Sequence, residues 1–397
     1  MEQNTHQEKS QNHCLIFDPI PFFGGSKLAT QEAINQCDNE SVSFTVLTAS
    51  PTCWKSEVSL STHQIKTIHL RMPAFLFTAS HGGLFWVKQF YLSLMLFITL
   101  LRIPSVNSAV GMSGPGVDMS LYLVKAIWRF PLIQLIHGPV AKSRSIGHCL
   151  TKADVIFALE SCHSSIQSAF SHYFGWRVHA HSAREFTRFA LSSPHYLFFN
   201  NGISSNQWPT SCTYGEPRLF WAASLLKWKG LDTLIETGKR LANTTPIPTD
   251  ICYIKPKRTQ ISITQAPVQI PLFSWHQNPR NLDEIRARNN IFVSTSQNEP
   301  FGLSILEAMA AGMCVVIPND GAYWDNVLTH KVDCIKYKPN DYEDLFLSIQ
   351  TLIYSPFLIP ALGQKAQIKA ENYHAEQCYR KIARAIVKSP KLIAKEG

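Results

Sequence analysis

Charge is scarce in this chain: Asp, Glu, Lys and Arg make up 16% of its 397 residues, against about 25% in ordinary soluble domains. With 45% apolar residues and 11% aromatics, that scarcity excludes a disordered chain and long charged tails. Cys-x-x-Cys pairs are absent, and the ten cysteines are dispersed. Neither a zinc ribbon nor a disulfide framework is therefore expected, and the thiols read as reduced core residues of a cytosolic chain. The first thirteen residues lack the apolar stretch of a secretory signal, so no signal peptide is expected. Apolar runs long enough to cross a bilayer, ~20 residues, are missing too. The longest, Phe90 to Leu101 between Lys88 and Arg102, reads as a buried core helix or as an amphipathic face resting on a membrane.

What is present is length, a basic balance and alternation. The chain is long enough for two domains. Its 37 Lys and Arg outnumber 28 Asp and Glu, giving +9. Part of that excess lies at the end, where Arg380, Lys381, Arg384, Lys388, Lys391 and Lys395 oppose only Glu376 and Glu396. No basic stripe interleaved with aromatics and no nucleic-acid motif occurs, so nucleic acid is not an expected partner. An anionic membrane surface is a testable use of the charge.

Short apolar runs alternate with helical patterns, which predicts parallel sheets with crossover helices. Strands are expected at Cys14–Phe17, Ser43–Leu47, Ile65–Leu70, Ser108–Met112, Pro131–Ile136, Val155–Leu159 and Tyr196–Phe199. The pattern restarts with Arg218–Ala222, Asp250–Ile254, Val268–Phe273, Ile291–Thr295, Cys314–Ile317 and Cys334–Tyr337. Between the halves, the polar segment Asn200 to Asn206 reads as a linker, with Gly202 supplying a positive-φ turn position. From about Asp341 only helices are expected, with Asn340 or Asp341 as N-cap and Pro356 and Pro360 as breakers. The reading is two doubly wound α/β domains, in which ligands sit beyond the carboxyl ends of strands.

The most informative stretch is IFVSTSQNEPFGLSILEAMAAG, residues 291–312. A strand runs into a polar loop, then Pro300 and Gly302 precede a helix that Gly312 should end. The free N–H groups of that helix start, around Gly302, Leu303 and Ser304, would seat a phosphate or diphosphate. Glu299 and Glu307 flank it, placed to accept hydrogen bonds from ligand hydroxyls. On spacing alone, Ser304 to Glu307 also fits an S-x-x-E capping box, and Glu299 a solvated loop.

The stretch resembles the E-x7-E signature, in its E-P-F-G-x-x-x-x-E-A-M-A-x-G form, of the retaining family-4 (group 1) nucleotide-sugar glycosyltransferases. The resemblance implies the α/β GT-B fold: two facing Rossmann-like, doubly wound domains with a C-terminal helical segment. It implies that Glu299 contacts the donor sugar, Glu307 the ribose, and the backbone from Phe301 to Ser304 the diphosphate. Lys229-Gly230 matches the family's K-G, whereas Ala223 and Ser224 stand where Gly and Arg are usual. Lys227 or Lys255 is the expected source of the missing charge. The turn at Gly24 and Gly25 resembles the family's glycine loop, with Lys27 as a further phosphate contact, and His137 at a strand tip matches the family's histidine near the sugar. The glycines of GMSGPG, residues 111–116, have the wrong spacing for a dinucleotide fingerprint and read as a turn on the acceptor side.

The resemblance divides the chain into an acceptor-side domain (residues 1–203), a donor domain (204–375) and a basic helix (376–397) returning to the first. It implies transfer of a hexose-type sugar from a UDP- or GDP-sugar to a carbohydrate or lipid-linked acceptor, with retention. Catalysis would fall to His137, Glu299 and Lys229, with Gly24, Gly25, Lys227, Phe301, Gly302, Leu303, Ser304 and Glu307 holding the donor. No cofactor is implied beyond the donor itself, and the lack of an Asp-x-Asp pair agrees with a metal-independent reaction. Bacterial surface polysaccharide synthesis, at the inner face of the membrane, is the expected setting. A non-catalytic sugar-nucleotide binding partner and a sugar-nucleotide epimerase of the same fold stay open as alternatives.

Overall fold

The computed structural model describes residues 12–22, 24–38, 41–54, 65–77, 79–256 and 261–388. Lys391, Lys395 and Glu396 lie outside them. The chain forms two compact units, one running to Asn200 and resuming at Cys378, the other spanning Asn201–Gln377.

The first unit is built on seven parallel strands: β1 (Asn12–Asp18), β2 (Val42–Thr48), β3 (Ile65–His69), β4 (Ser108–Gly111), β5 (Leu132–Ile136), β6 (Val155–Leu159) and β7 (Tyr196–Phe199). Their order is β3-β2-β1-β4-β5-β6-β7. β1, β4, β5 and β6 are almost wholly buried. That is why they read as continuous apolar runs rather than alternating ones: helices cover both faces of a parallel sheet.

The second unit has six parallel strands: β8 (Leu219–Ser224), β9 (Thr249–Ile254), β10 (Phe273–Gln277), β11 (Ile291–Val293), β12 (Cys314–Pro318) and β13 (Ile335–Tyr337). Their order is β10-β9-β8-β11-β12-β13. In each sheet the winding reverses once, between β1 and β4 and between β8 and β11, and the loops leaving those strands are where doubly wound folds bind ligands.

Four expectations need correction. The strand expected at Val268–Phe273 begins only at Phe273, because Pro267 and Pro271 carry no N–H for a ladder. Val268 and Ile270 still pack against the core, which explains their apolarity. Pro360 does not break a helix. It lies in the first turn of the Leu358–Ala370 helix, where an intrahelical N–H is not needed. Gly202 has no positive φ; a side chain there would meet the backbone of Tyr373 and Ala375 at 2.8–2.9 Å, so close approach demands the glycine. Finally, Phe90 to Leu101 is not a core helix. It belongs to a longer helix, Gly82–Leu100, that buries only Gln89, Leu92, Leu96, Thr99 and Leu100.

Asp341 does cap the Tyr342–Tyr354 helix, its carboxylate accepting from the N–H groups of Glu343 and Asp344.

Candidate functional site

The candidate site in the second unit grows from the reversal between β8 and β11. After β8 the chain makes a single 3-10 turn, Lys227–Lys229, and Gly230, at φ +70°, starts the Leu231–Thr244 helix. After β11 the loop runs through Glu299 to Gly302, at φ +83°, which opens the Leu303–Ala310 helix. The two loops are stitched together. Thr295 Oγ1 donates to the Lys229 carbonyl at 2.8 Å and accepts from Trp221 Nε1 at 3.0 Å, and the Gln297 N–H donates to the Trp228 carbonyl at 2.8 Å. A Cβ on Gly230 would lie 2.0 Å from the Thr295 carbonyl oxygen, so glycine is what allows the loops to touch.

The stitching brings together two residues singled out in the sequence. Lys229 and Glu299 form an ion pair, mostly shielded from water, and the Lys229 ammonium also sits 4.1 Å from the centre of the Trp228 ring. At Gly302 the backbone is braced from the other side by Trp324, whose buried indole N–H donates to the Gly302 carbonyl at 3.2 Å. Phe301 is buried against Tyr323, Trp324 and Tyr373. The first N–H groups of the helix, on Leu303 and Ser304, precede any intrahelical acceptor, and the helix dipole adds partial positive charge to them. Lys229 and this helix start both favour an anion.

Glu307 lies one turn further on. Arg286 Nη2 donates to its Oε2 at 2.6 Å, and Arg286 Nη1 donates to Asp283 at 2.8 Å. The capping box is not formed: Gly302 is the N-cap, it makes no side-chain cap bond, and Glu307 is turned to Arg286 instead. A small recess lined in part by Ser294, Ser296, Glu299, Asp320 and Trp324 opens beside Glu299.

Lys227 is engaged with Asp232 at 2.8 Å rather than standing free for a phosphate. Lys255 is exposed and makes no ion pair among the described residues. The β8–β9 register pairs Ser224 with Ile254, which sets Lys255 next to the position where the arginine is missing.

In the first unit, Gly24 is the extended N-cap (φ −158°) of the Gly25–Asn35 helix that follows β1. Neither a positive φ nor a steric conflict requires glycine at Gly24, since an added Cβ would meet only Phe22 at 3.9 Å. Lys27 is not available to a phosphate. It is buried, pairs with Asp18 at 2.8 Å and donates to the Ile20 carbonyl at 3.1 Å. Asp18 is further held by Thr48 Oγ1 and Trp54 Nε1, so the pair is internal bracing at the carboxyl end of β1. His137 stands at the tip of β5, as expected, with its ring edge-on to Phe199 at 5.3 Å.

The turn after β4, residues 111–116, is closed by Asp118, whose Oδ2 accepts from the Ser113 N–H and Gln134 Nε2, each at 2.8 Å. Burial pushes the Asp118 carboxyl up to about 8, against the opposing pull of those hydrogen bonds. Arg286, Trp324 and Asp118 were missed in the sequence. In the sequence Arg286 stands three residues after Asp283, and nothing in its spacing marks Glu307 as a second partner.

Residues 212–371 match the family model described as glycosyl transferases group 1. No curated protein sequence matches the chain. Among solved structures, HepE from Anabaena in complex with UDP and glucose is similar at 15% identity and a TM-score of 0.68, over 95% of this chain and 100% of that one. Sucrose-phosphate synthase from Thermosynechococcus elongatus matches at 13% identity and 0.68, over 94% and 98%. The lipopolysaccharide outer core galactosyltransferase WaaB, in its apo form, matches at 13% identity and 0.61, over 95% and 99%. At these identities the likeness shows the fold: two Rossmann-like α/β units of the GT-B architecture.

Proposed function

We propose that this protein is a glycosyltransferase of the retaining, family-4 kind. It would transfer a hexose-type sugar from a UDP- or GDP-sugar to a carbohydrate or lipid-linked acceptor, without a metal ion. The observation that carries this reading is the meeting of Lys229, Glu299 and the open start of the Leu303–Ala310 helix at the β8–β11 reversal. That constellation falls inside the segment matching the family model, and the UDP and UDP-glucose complexes of HepE support a nucleotide-diphosphate donor.

In this reading the departing diphosphate takes its neutralising charge from Lys229 and its hydrogen bonds from the backbone between Gly302 and Ser304. These groups act most strongly where negative charge develops in the transition state. Glu299 exchanges Lys229 for hydroxyls of the donor sugar as the diphosphate arrives. Glu307, held by Arg286, accepts from ribose hydroxyls. His137 assists at the sugar, a role assigned through the family resemblance. Lys255, exposed and without an ion pair among the described residues, supplies charge in place of the missing arginine. Surface polysaccharide synthesis on the cytoplasmic side of the membrane is the setting we assign.

A nucleotide-sugar panel read by thermal shift, followed by detection of released UDP or GDP with acceptor extracts, tests the assignment. One donor should stabilise the protein and release nucleotide only when an acceptor is present. Binding without release on any acceptor would point to a non-catalytic binding partner, and donor conversion without an acceptor to an epimerase.

A further inference from the structure

The Gly82–Leu100 helix has two opposite faces, and both are largely apolar. Gln89, Leu92, Leu96, Thr99 and Leu100 face inward. Gln89 locks that side by accepting from the Ser120 N–H at 3.1 Å. Half a turn away, Val87, Phe90 and Leu94 follow one another at three- and four-residue steps and continue into Leu101; Phe90 is 62% and Leu101 61% exposed. Leu84 and Trp86 extend the exposed side. Phe75, on the preceding short helix, and Ile127, 79% exposed beside the Trp128 that meets Phe97 edge-on at 5.6 Å, widen it. So many large apolar side chains exposed along one helix and on its flanking segments are not the ordinary scatter of a soluble surface.

Charge is distributed to match. The unit bearing this helix, residues 1–200 with 378–397, holds 21 Lys and Arg against 12 Asp and Glu, whereas residues 201–377 hold 16 of each. The whole +9 therefore belongs to the unit with the apolar face, and none of it is net charge of the donor-side unit. Between residues 58 and 117 there is no Asp or Glu at all, while Lys66, Arg71, Lys88 and Arg102 lie along that stretch. Arg71 is tied to the helix, its carbonyl accepting from Tyr91 Oη at 2.6 Å.

We propose that this face docks the protein on an anionic lipid bilayer, with the helix lying in the interface and its outer stripe among the acyl chains. The helix is long and apolar enough to count as a membrane span. Spanning, however, would strip Leu92, Leu96 and Gln89 from the unit they complete, and an interfacial helix keeps them there. Pairing with a second copy is disfavoured because the stretch that carries this face, residues 58–117, holds four Lys and Arg and no acid to answer them across such an interface. Apolar insertion and attraction to anionic headgroups add on one surface, which is how single amphipathic helices hold proteins to membranes.

Flotation of the full-length protein with phosphatidylglycerol-containing vesicles, with pure phosphatidylcholine as the control, tests this. The protein should float with the anionic vesicles at low salt and much less at 0.5 M NaCl, a screening distance of roughly 4 Å. Phe90→Ser with Leu94→Ser should cut the bound fraction about tenfold with an unchanged melting temperature. Arg102→Glu, which leaves the apolar stripe intact, should lower binding to anionic vesicles only. No flotation at low salt would overturn the proposal, as would flotation indifferent to all three substitutions. A concentration-dependent dimer in sedimentation, abolished by the serine pair, would assign the face to a second copy instead.

Discussion

Lys229 and Glu299 are seventy positions apart in sequence, and in the fold they form an ion pair with each other. The cation proposed to receive a diphosphate is thus already neutralised by the carboxylate proposed to hold the sugar. A donor has to separate the two, and the sugar hydroxyls are what Glu299 would gain in return. Glu299→Gln removes the competing anion while keeping the shape. Its expected signature is opposite shifts in two quantities: UDP or GDP alone should bind about tenfold tighter, from relief of roughly 1.4 kcal/mol of competing charge, whereas sugar transfer should slow on the order of 100-fold. Calorimetric titration with the nucleotide and a turnover assay on the same preparation measure the two. Weaker nucleotide binding by the glutamine variant would contradict the arrangement.

If Glu307 holds the ribose as proposed, Arg286 acts on the donor through it. Arg286→Ala leaves that carboxylate without its partner. Glu307 is a quarter exposed and Asp283 about half, so the loss in stability should be about 1–2 kcal/mol, below the range for a fully buried pair. The larger effect should be on the KM for the donor, with kcat little changed, and Arg286→Lys should recover part of it. A variant that lost stability but kept its donor KM would reduce Arg286 to a structural brace.

Gly230→Ala probes the contact between the two loops. The residue sits at φ +70° and its Cβ would lie 2.0 Å from the Thr295 carbonyl oxygen. A left-handed conformation alone costs about 1–2 kcal/mol for a residue with a Cβ, and the backbone overlap adds to it. Chemical denaturation should show a loss above about 2 kcal/mol together with a fall in donor affinity, because the loop cannot close without moving Lys229. Gly24→Ala is the matched control; it meets only Phe22 at 3.9 Å and should leave stability nearly unchanged.

Asp118 gives the first unit a pH-dependent stability of defined sign. Burial raises its folded-state value to about 8, so the folded protein holds a proton that the unfolded chain releases near pH 4. The contribution is complete below the ordinary carboxylate value, declines as pH rises, and is lost once pH passes about 8. Asp118→Asn mimics the protonated acid. It should flatten the fall in melting temperature between pH 5 and pH 9 and make the variant the more stable protein at the alkaline end. A parallel pH profile for the two proteins would show that Asp118 does not hold the proton.

If diphosphate charge is met by Lys229, Lys255 and the helix start, transfer should continue undiminished in EDTA. Lys255→Ala should weaken nucleotide binding, whereas Lys227→Ala, which removes a side chain already paired with Asp232, should leave it nearly unchanged. Donor titrations of both variants, each with and without chelator, decide this. Loss of transfer in EDTA restored by a divalent cation would remove the metal-independent mechanism.

The sheets were legible because parallel strands covered on both faces are runs of Val, Ile, Leu and Phe that need no long-range information to recognise. The helix start at Leu303 was legible for a similar reason: Pro300, Gly302 and Gly312 mark its limits locally. What sequence pattern does not carry is which partner a side chain chooses. Lys27 looked like a phosphate ligand and is spent on Asp18, Lys227 on Asp232, and Arg286 bridges two acids on different helices. Hydropathy was equally silent about exposure. Phe90 and Leu94 are as apolar as Leu92 and Leu96, and only the packed structure separates the stripe that faces inward from the one that faces out. The reason for Gly202 was misjudged on the same ground, since the approach of Tyr373 and Ala375 comes from chain about 170 positions later.

The segment from Cys378 to Lys388 makes the second unit, in covalent terms, an insertion into the first. The Asn12 side-chain amide donates to the Val387 carbonyl at 2.6 Å, and Cys37 lies against Ala383, so a segment translated early waits for one translated more than 300 residues later. During synthesis the inserted unit can finish while the earlier one is still missing a wall. Residues 12–200 leave the ribosome with the seat of the Arg380–Lys388 helix uncovered, and their unit can close only after the inserted one has been made.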